Sequence, residues 1–258
     1  MKEVIDYIEK QRLKFERLPF FTELLDNENL PCEQRLAWGP GTVPFIMGYS
    51  DLNKEVFRNE ANDADPAQHD LNMHTYEEDF HWQWMLDDLD ILGANPNLTF
   101  SDAVRLIWSP DFRVSREVPL RLTSLVRTTD THGVFAIVEA IEAVSVTMFQ
   151  HCQGIRLSNG KECQFFGTKH YLAESGHGIK SEECKTAQEI RLTDEARQAY
   201  CALVDQVFEL FAKWVDSLCD FAAKYGPQFE SHAREAVRAS AALPRAAMIP
   251  PHLRVLAA

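Results

Sequence analysis

Three segments of the chain combine carboxylates and imidazoles at spacings that could bind metal ions. The first, residues 74–89, reads HTYEEDFHWQWMLDDL. An α-helix turns by about 100° per residue, so four polar side chains of this segment project within about 40° of one direction: His74, Glu78, His81 and Asp88. Aromatic and aliphatic residues cover much of the remaining circumference, which predicts a largely buried helix. Buried groups of this kind must be paired, hydrogen-bonded or bound to a metal ion.

The second segment is the apolar stretch of residues 133–149, which contains Glu139 and Glu142 on the same side of a helix. No lysine or arginine occurs between positions 128 and 155, so neither glutamate can form a salt bridge within this helix. A partner on another helix is one solution. A bound cation is the other, since an unpaired buried carboxylate costs several kcal/mol.

The third segment, residues 165–177, reads FFGTKHYLAESGH and places His170, Glu174 and His177 at positions i, i+4 and i+7. All three project from one side of two helical turns, a spacing suited to holding one ion and reaching a second. A mixture of imidazole and carboxylate favours iron or manganese over calcium or thiolate-preferring ions.

Together the segments offer the number of ligands that a dimetal carboxylate site needs. The predicted ligands are Glu78, His81, Glu139, His170, Glu174 and His177. Four neighbours are possible further ligands or hydrogen-bond partners of ligands: His74, Glu77, Glu142 and Asp88. A solvated helix face is the competing interpretation of each segment alone, and the agreement of three segments favours a metal site.

Helices are the elements predicted to position these residues, because the 11 glycines and 12 prolines leave long stretches without breakers. The main predicted helices cover residues 3–16, 66–92, 99–108, 132–153, 165–176 and 194–225, with Thr131 and Thr193 as N-caps of the fourth and the last. We predict a single all-α domain over residues 1–239, a bundle of seven to nine helices, followed by a proline- and alanine-rich tail over 240–258.

The composition argues against several classes of partner. Acidic residues outnumber basic ones by 39 to 26, which disfavours binding to nucleic acids or anionic membranes. The first residues lack the apolar core of a signal peptide, and the longest apolar stretch, interrupted by Glu139 and Glu142, is short for a membrane span. The six cysteines show no CxxC spacing, so we expect reduced thiols and a cytoplasmic protein.

With these residues in place, the chain resembles the haem-oxygenase-like diiron oxidases and oxygenases over about residues 40–220. That family sets a carboxylate and a histidine on one helix, here Glu78 and His81, a glutamate on a later helix, and H-x3-[DE]-x2-H on a third, here beginning at His170. Gaps of 58 residues from His81 to Glu139 and 31 from Glu139 to His170 are similar to the family's, which favours Glu139 over Glu142. Since some members place the first carboxylate at the position of His74, that residue and Glu77 compete with Glu78.

The resemblance implies a haem-oxygenase-like helical bundle, two Fe(II) ions, dioxygen as co-substrate and a homodimer. The implied activity is a non-haem diiron oxidase or oxygenase of secondary metabolism acting on a small organic substrate. The first segment favours an amino acid or its derivative, since it is similar to a nitrile-forming branch that acts on a tryptophan derivative. Possible pocket-lining residues are Phe80, Trp84, Met85, Phe135, Phe149 and Tyr171. Four arginines could clamp a substrate carboxylate: Arg105, Arg113, Arg121 and Arg127.

Two other functions fit the same bundle. One is a metal-independent enzyme similar to thiamine-degrading relatives, which would need a nucleophilic cysteine, and Cys152 is the best candidate for it. The other is a non-catalytic binding protein. Zinc or manganese as the native metal is a further alternative to iron.

Overall fold

The computed structural model describes residues 1–174 and 190–242, and this part of the chain forms an all-α bundle, as predicted. Its helices are α1 (Lys2–Phe15), α2 (Cys32–Arg35), α3 (Val43–Leu52), α4 (Pro66–Glu77), α5 (Trp82–Ile91), α6 (Phe100–Ile107), α7 (Arg113–Val126), α8 (Thr131–Cys152), α9 (Thr168–Glu174), α10 (Asp194–Tyr225) and α11 (Phe229–Ala242). Short π-helical turns (Phe20–Leu25, Asn53–Phe57) and 3-10 turns (Gly39–Thr42, Glu60–Asn62, Glu78–Phe80, Pro110–Phe112) lie between them. Within the described residues no β-strand forms.

The apolar helix α8 lies at the centre of the bundle, where it contacts α1, α4, α9 and α10. Its length and composition would suffice to cross a membrane, yet 67 % of its most apolar 18-residue window is buried inside the bundle. A central core helix passes the same test of length and composition. Because the neighbouring helices shield most of α8 from water, a polar side chain on its buried side meets protein groups or an internal cavity.

The N-terminus of α8 is capped one residue earlier than the sequence predicted. The carboxylate of Asp130, and not the hydroxyl of Thr131, accepts the backbone N–H of Gly133 at 3.0 Å. The hydroxyl of Tyr200 on α10 donates to the same carboxylate at 2.7 Å. Asp130 prevails because its carboxylate satisfies the helix end and a neighbouring helix together.

The predicted helix over residues 66–92 is divided in two. Helix α4 ends at Glu77, the 3-10 turn Glu78–Phe80 follows, and α5 begins at Trp82. The four polar residues His74, Glu78, His81 and Asp88 are buried or half-buried, in line with the predicted burial of this segment. The apolar side chain of Phe80 is an exception, since it is 66 % exposed. The division therefore places Glu78 and His81 at the junction between two helices.

Arg58 binds this junction from the preceding turn. Its guanidinium donates to the hydroxyl and the carbonyl oxygen of Thr75, both at 2.9 Å, and forms an ion pair with Asp79 at 2.9 Å. The guanidinium also lies 3.8 Å above the centre of the Tyr76 ring. Because a guanidinium offers five donors in a rigid fork, it can satisfy the carbonyl of the ending helix and the carboxylate of the turn together.

Candidate metal centre

Three of the predicted ligands converge where the junction between α4 and α5 approaches α9. Nδ1 of His81 lies 2.9 Å from Oε2 of Glu78 and 3.2 Å from Nε2 of His170. The three ligand atoms lie within 4.8 Å of one another, and Glu78 and His170 are buried. Ligand atoms about 2.1 Å from a metal ion and at right angles to each other are about 3 Å apart. The group therefore has the composition and spacing of a metal-binding group.

The tautomer of the His170 ring is set by the backbone carbonyl of Phe165. Nδ1 of His170 lies 3.1 Å from the carbonyl oxygen of Phe165, which can only accept a hydrogen bond. The proton of the neutral ring is therefore on Nδ1, and the lone pair of Nε2 faces Glu78 and His81. Metal-binding histidines commonly have this arrangement, with the second nitrogen bonded to a carbonyl or carboxylate.

One oxygen of Glu78 fits a bound cation. Oε1 is buried and has no hydrogen-bond partner among the described residues, while Oε2 contacts His81. A buried carboxylate oxygen without a donor loses its hydration and gains nothing in return. A metal ion at the group would compensate for this loss, so the carboxylate fits a positively charged occupant.

A second polar group lies on α3, α4 and α8. Oε1 of the buried Glu142 accepts a hydrogen bond from the hydroxyl of Tyr49 at 3.1 Å, and Nε2 of His74 lies 3.3 Å from the same oxygen. Tyr49 had no signal in the sequence that linked it to metal chemistry, because it stands alone in an apolar segment. Only the packing of α3 against its neighbours brings it to the carboxylate.

The remaining predicted ligands are placed differently. Glu139 is half-buried, one turn before Glu142 on α8, and within the described residues it belongs neither to the three-ligand group nor to the cavity lining below. Glu77 is exposed at the end of α4. The backbone of Glu174 ends α9, whereas its side chain and the whole of His177 lie outside the described residues.

Asp88 binds backbone and lies outside the three-ligand group found among the described residues. Its fully buried carboxylate accepts the N–H groups of Gln164 at 2.5 Å, Phe165 at 2.9 Å and Phe166 at 2.9 Å. Burial raises the pKa of Asp88 to about 6, against the opposing effect of hydrogen bonds from the three N–H groups and from Cys163. The residue holds the turn that leads into α9.

A cavity borders both polar groups. It contains about 630 Å³ of space between atoms, including its open mouth, and Glu78, His81, Glu142 and His170 all line it. Aromatic rings form much of the rest: Phe45, Trp82, Phe149, Phe165, Phe166, Phe211 and Trp214. Hydroxyl groups come from Thr42, Tyr49, Ser50 and Ser145. The shape and lining are those of a site for a small, largely apolar molecule.

The expectations about individual lining residues are met in part. Of the six apolar candidates only Phe149 lines the cavity, and Met85 and Phe135 are buried elsewhere in the core. Among the described residues no lysine or arginine borders it. The four candidate arginines lie elsewhere: Arg105 pairs with Asp102, Arg113 pairs with Glu117, Arg121 lines a surface groove, and Arg127 is exposed.

Cys152, the candidate nucleophile of a metal-independent enzyme, is fully buried and does not line this cavity. Burial raises the pKa of its thiol, as it does for Cys163. A nucleophilic cysteine needs the opposite, a lowered pKa and access to substrate. The environment of Cys152 is that of an inert core residue.

A comparison with models of known protein families finds no match, and a comparison with curated proteins finds no similar sequence.

Proposed function

We propose that this protein is a non-haem diiron enzyme that activates dioxygen and oxidises a small organic substrate. One observation carries the proposal: a carboxylate–imidazole group (Glu78, His81 and His170) and a second buried carboxylate, Glu142, line the same aromatic cavity in an all-α bundle. The resemblance to haem-oxygenase-like diiron oxidases and oxygenases supports the same conclusion.

We assign Glu78, His81 and His170 to one iron ion. For the second ion we select Glu142, because it lines the cavity, with His74 as a neighbouring ligand. The predicted H-x3-E-x2-H motif would complete the pair of sites through Glu174 and His177. When bound, two ferrous ions supply the electrons and the open coordination positions that dioxygen reduction requires.

The residues around the ions then have distinct tasks. The hydroxyl of Tyr49 donates to Glu142 and so limits the directions in which that carboxylate can face. The carbonyl of Phe165 keeps the proton of His170 on Nδ1, away from the metal. The aromatic lining would limit the access of water to bound ions and so reduce side reactions. These tasks are binding and orientation, which are the protein's share of such chemistry.

The residues that line the cavity indicate which kind of substrate would fit. Its lining favours a molecule whose bulk is aromatic or aliphatic, with a few polar atoms near Tyr49, Ser50 or Ser145. We propose an amino-acid derivative with an apolar side chain, within secondary metabolism. A cytoplasmic location and a homodimer belong to the same proposal.

An anaerobic titration with Fe(II) tests the metal assignment. We expect close to two ions per chain in the wild type and one or fewer in His170→Ala. His69→Ala is the matched control, because His69 is exposed and pairs with Asp63 away from the cavity. An iron content near zero in the wild type, or an unchanged content in His170→Ala, contradicts the proposal.

Addition of dioxygen to the iron-loaded protein separates the competing functions. A diiron oxidase consumes dioxygen faster with its substrate, and a panel of aromatic amino-acid derivatives is the first choice. A non-catalytic binding protein would consume none with any of them. A cysteine enzyme would turn over substrate after complete removal of metal by a chelator.

A further inference from the structure

One buried carboxylate links α5, the helix that directly follows His81, to the segment that leads to His170. Asp88 lies on α5, seven residues after His81, which directly precedes the helix. Its carboxylate reaches across to the turn before α9, the helix that carries His170. The same short stretch of chain therefore holds one ligand and anchors the segment that presents another.

The turn depends on two carboxylate oxygens. Oδ1 of Asp88 accepts the N–H of Gln164, and Oδ2 accepts those of Phe165 and Phe166. The side chain is fully buried, so water cannot replace it at these donors without a rearrangement. A side chain with one acceptor oxygen, or with none, would leave buried N–H groups without partners, and the turn would have to move.

Movement of the turn reaches His170 through a single residue, Phe165. The N–H of Phe165 is bound by Asp88, and the carbonyl of Phe165 accepts the hydrogen bond from Nδ1 of His170. The ring of Phe165 also packs against the imidazole, with 4.3 Å between ring centres. A shifted Phe165 would change both the direction of the imidazole and the nitrogen that carries its proton.

We propose that Asp88 is a positioning residue of the metal centre, which acts through Phe165 to hold His170 in the orientation and tautomer that metal binding needs. The inference rests on the proposed metal-binding function and adds a residue that itself contacts no ion. Such outer partners typically change metal affinity by about 10- to 100-fold when they are removed.

Binding of Co(II), an air-stable substitute for Fe(II), tests the proposal by its visible absorption. We expect Asp88→Asn to bind Co(II) at least about tenfold more weakly than the wild type. Asp87→Asn is the matched control, because Asp87 is exposed on the same helix and accepts a hydrogen bond from the side-chain amide of Gln164. Its affinity should stay within about twofold of the wild type. Wild-type affinity in a folded Asp88→Asn protein overturns the proposal.

Nuclear magnetic resonance on the metal-free protein can measure the tautomer of His170, which a loss of stability alone would not change. With ¹⁵N-labelled histidine, the wild type should show His170 protonated at Nδ1, and Asp88→Asn should lose this preference. If Asp88→Asn does not fold, Asp88→Glu keeps the charge and displaces it by one methylene, and the same loss is expected. An unchanged His170 tautomer together with unchanged affinity in Asp88→Glu overturns the proposal.

The experiments distinguish failure of the proposed metal-binding function from failure of the positioning role of Asp88. If the wild type binds neither Co(II) nor Fe(II), the proposed function is wrong, and the histidine spectra still report whether Asp88 controls His170. If the wild type binds metal and the Asp88 variants bind it equally well, only the positioning role is wrong.

Discussion

Asp88 and His170 lie on different helices and are linked through one residue, because Phe165 donates its N–H to the Asp88 carboxylate and its carbonyl oxygen accepts a hydrogen bond from Nδ1 of His170. This link gives the buried carboxylate of Asp88 a role, because its backbone contacts hold the segment that orients His170. Three N–H donors offset part of its cost in lost hydration, and these hydrogen bonds fix the turn that leads to His170.

The choice between the two glutamates of α8 can be tested directly. We expect Glu142→Gln to lower Fe(II) binding from about two ions per chain to about one, because Glu142 lines the cavity and contacts Tyr49 and His74. Glu139→Gln is the matched control, one turn away on the same helix, and should retain about two. The reverse pattern would make Glu139 the ligand, as the sequence gaps suggested.

The stability of the protein should carry a pH dependence from Asp88. Burial raises its pKa from 3.8 to about 6, so the folded state binds this proton more tightly than the unfolded chain. This contribution to the free energy of unfolding is fully present below pH 3.8 and is lost as the pH rises through about 6. The pKa difference corresponds to on the order of 3 kcal/mol.

Urea unfolding of the wild type and Asp88→Asn over this pH range measures that contribution. The free energy of unfolding of the wild type, relative to Asp88→Asn, should decrease as the pH rises. Asp87→Asn controls for the loss of a carboxylate on the exposed side of the same helix. A difference that stays constant from pH 3.8 to above 6 would show that Asp88 titrates normally.

The junction between α4 and α5 should depend on Arg58. Arg58→Ala removes the ion pair with Asp79 and the donors to Thr75, all in a half-buried site. We expect the free energy of unfolding to fall by about 1–3 kcal/mol, and metal affinity to fall with it because Glu78 and His81 lie at this junction. Arg58→Lys should recover part of the stability.

A surface ion pair provides the control for Arg58. Arg156 is 65 % exposed and pairs with Glu162 at 3.3 Å, so Arg156→Ala should change stability by less than about 1 kcal/mol. Equal losses for the two alanine variants in urea unfolding would mean that Arg58 contributes no more than a surface charge.

The cysteines of the core should be chemically inert. Burial raises the pKa of the Cys152 and Cys163 thiols, so iodoacetamide at neutral pH should label neither in the native protein and both after denaturation. Peptide mass spectrometry measures this labelling. Cys152→Ala should retain iron binding and activity. Loss of activity in a folded Cys152→Ala protein would favour the cysteine-dependent alternative.

The sequence alone determined the class of the fold and most of its helices. Long segments without glycine or proline, together with helical repeats of apolar residues, predicted α1, α6, α8 and α10 to within a few residues. Local capping chemistry was readable in part, since the hydroxyl of Thr193 accepts an N–H group at the start of α10 as predicted, whereas Asp130 caps α8 in place of Thr131. These features depend on neighbours within a few positions along the chain.

The same local patterns selected Glu78, His81 and His170 as candidates, because helical spacing was applied within each segment separately. Tertiary packing decided the rest. Tyr49 contacts Glu142, and Asp88 binds Phe165, across long distances in sequence. The helix is divided at Glu78, beside the distant residue Arg58, which pairs with Asp79. Periodicity determines which side chains share a face, but only the packing of the bundle determines which faces meet.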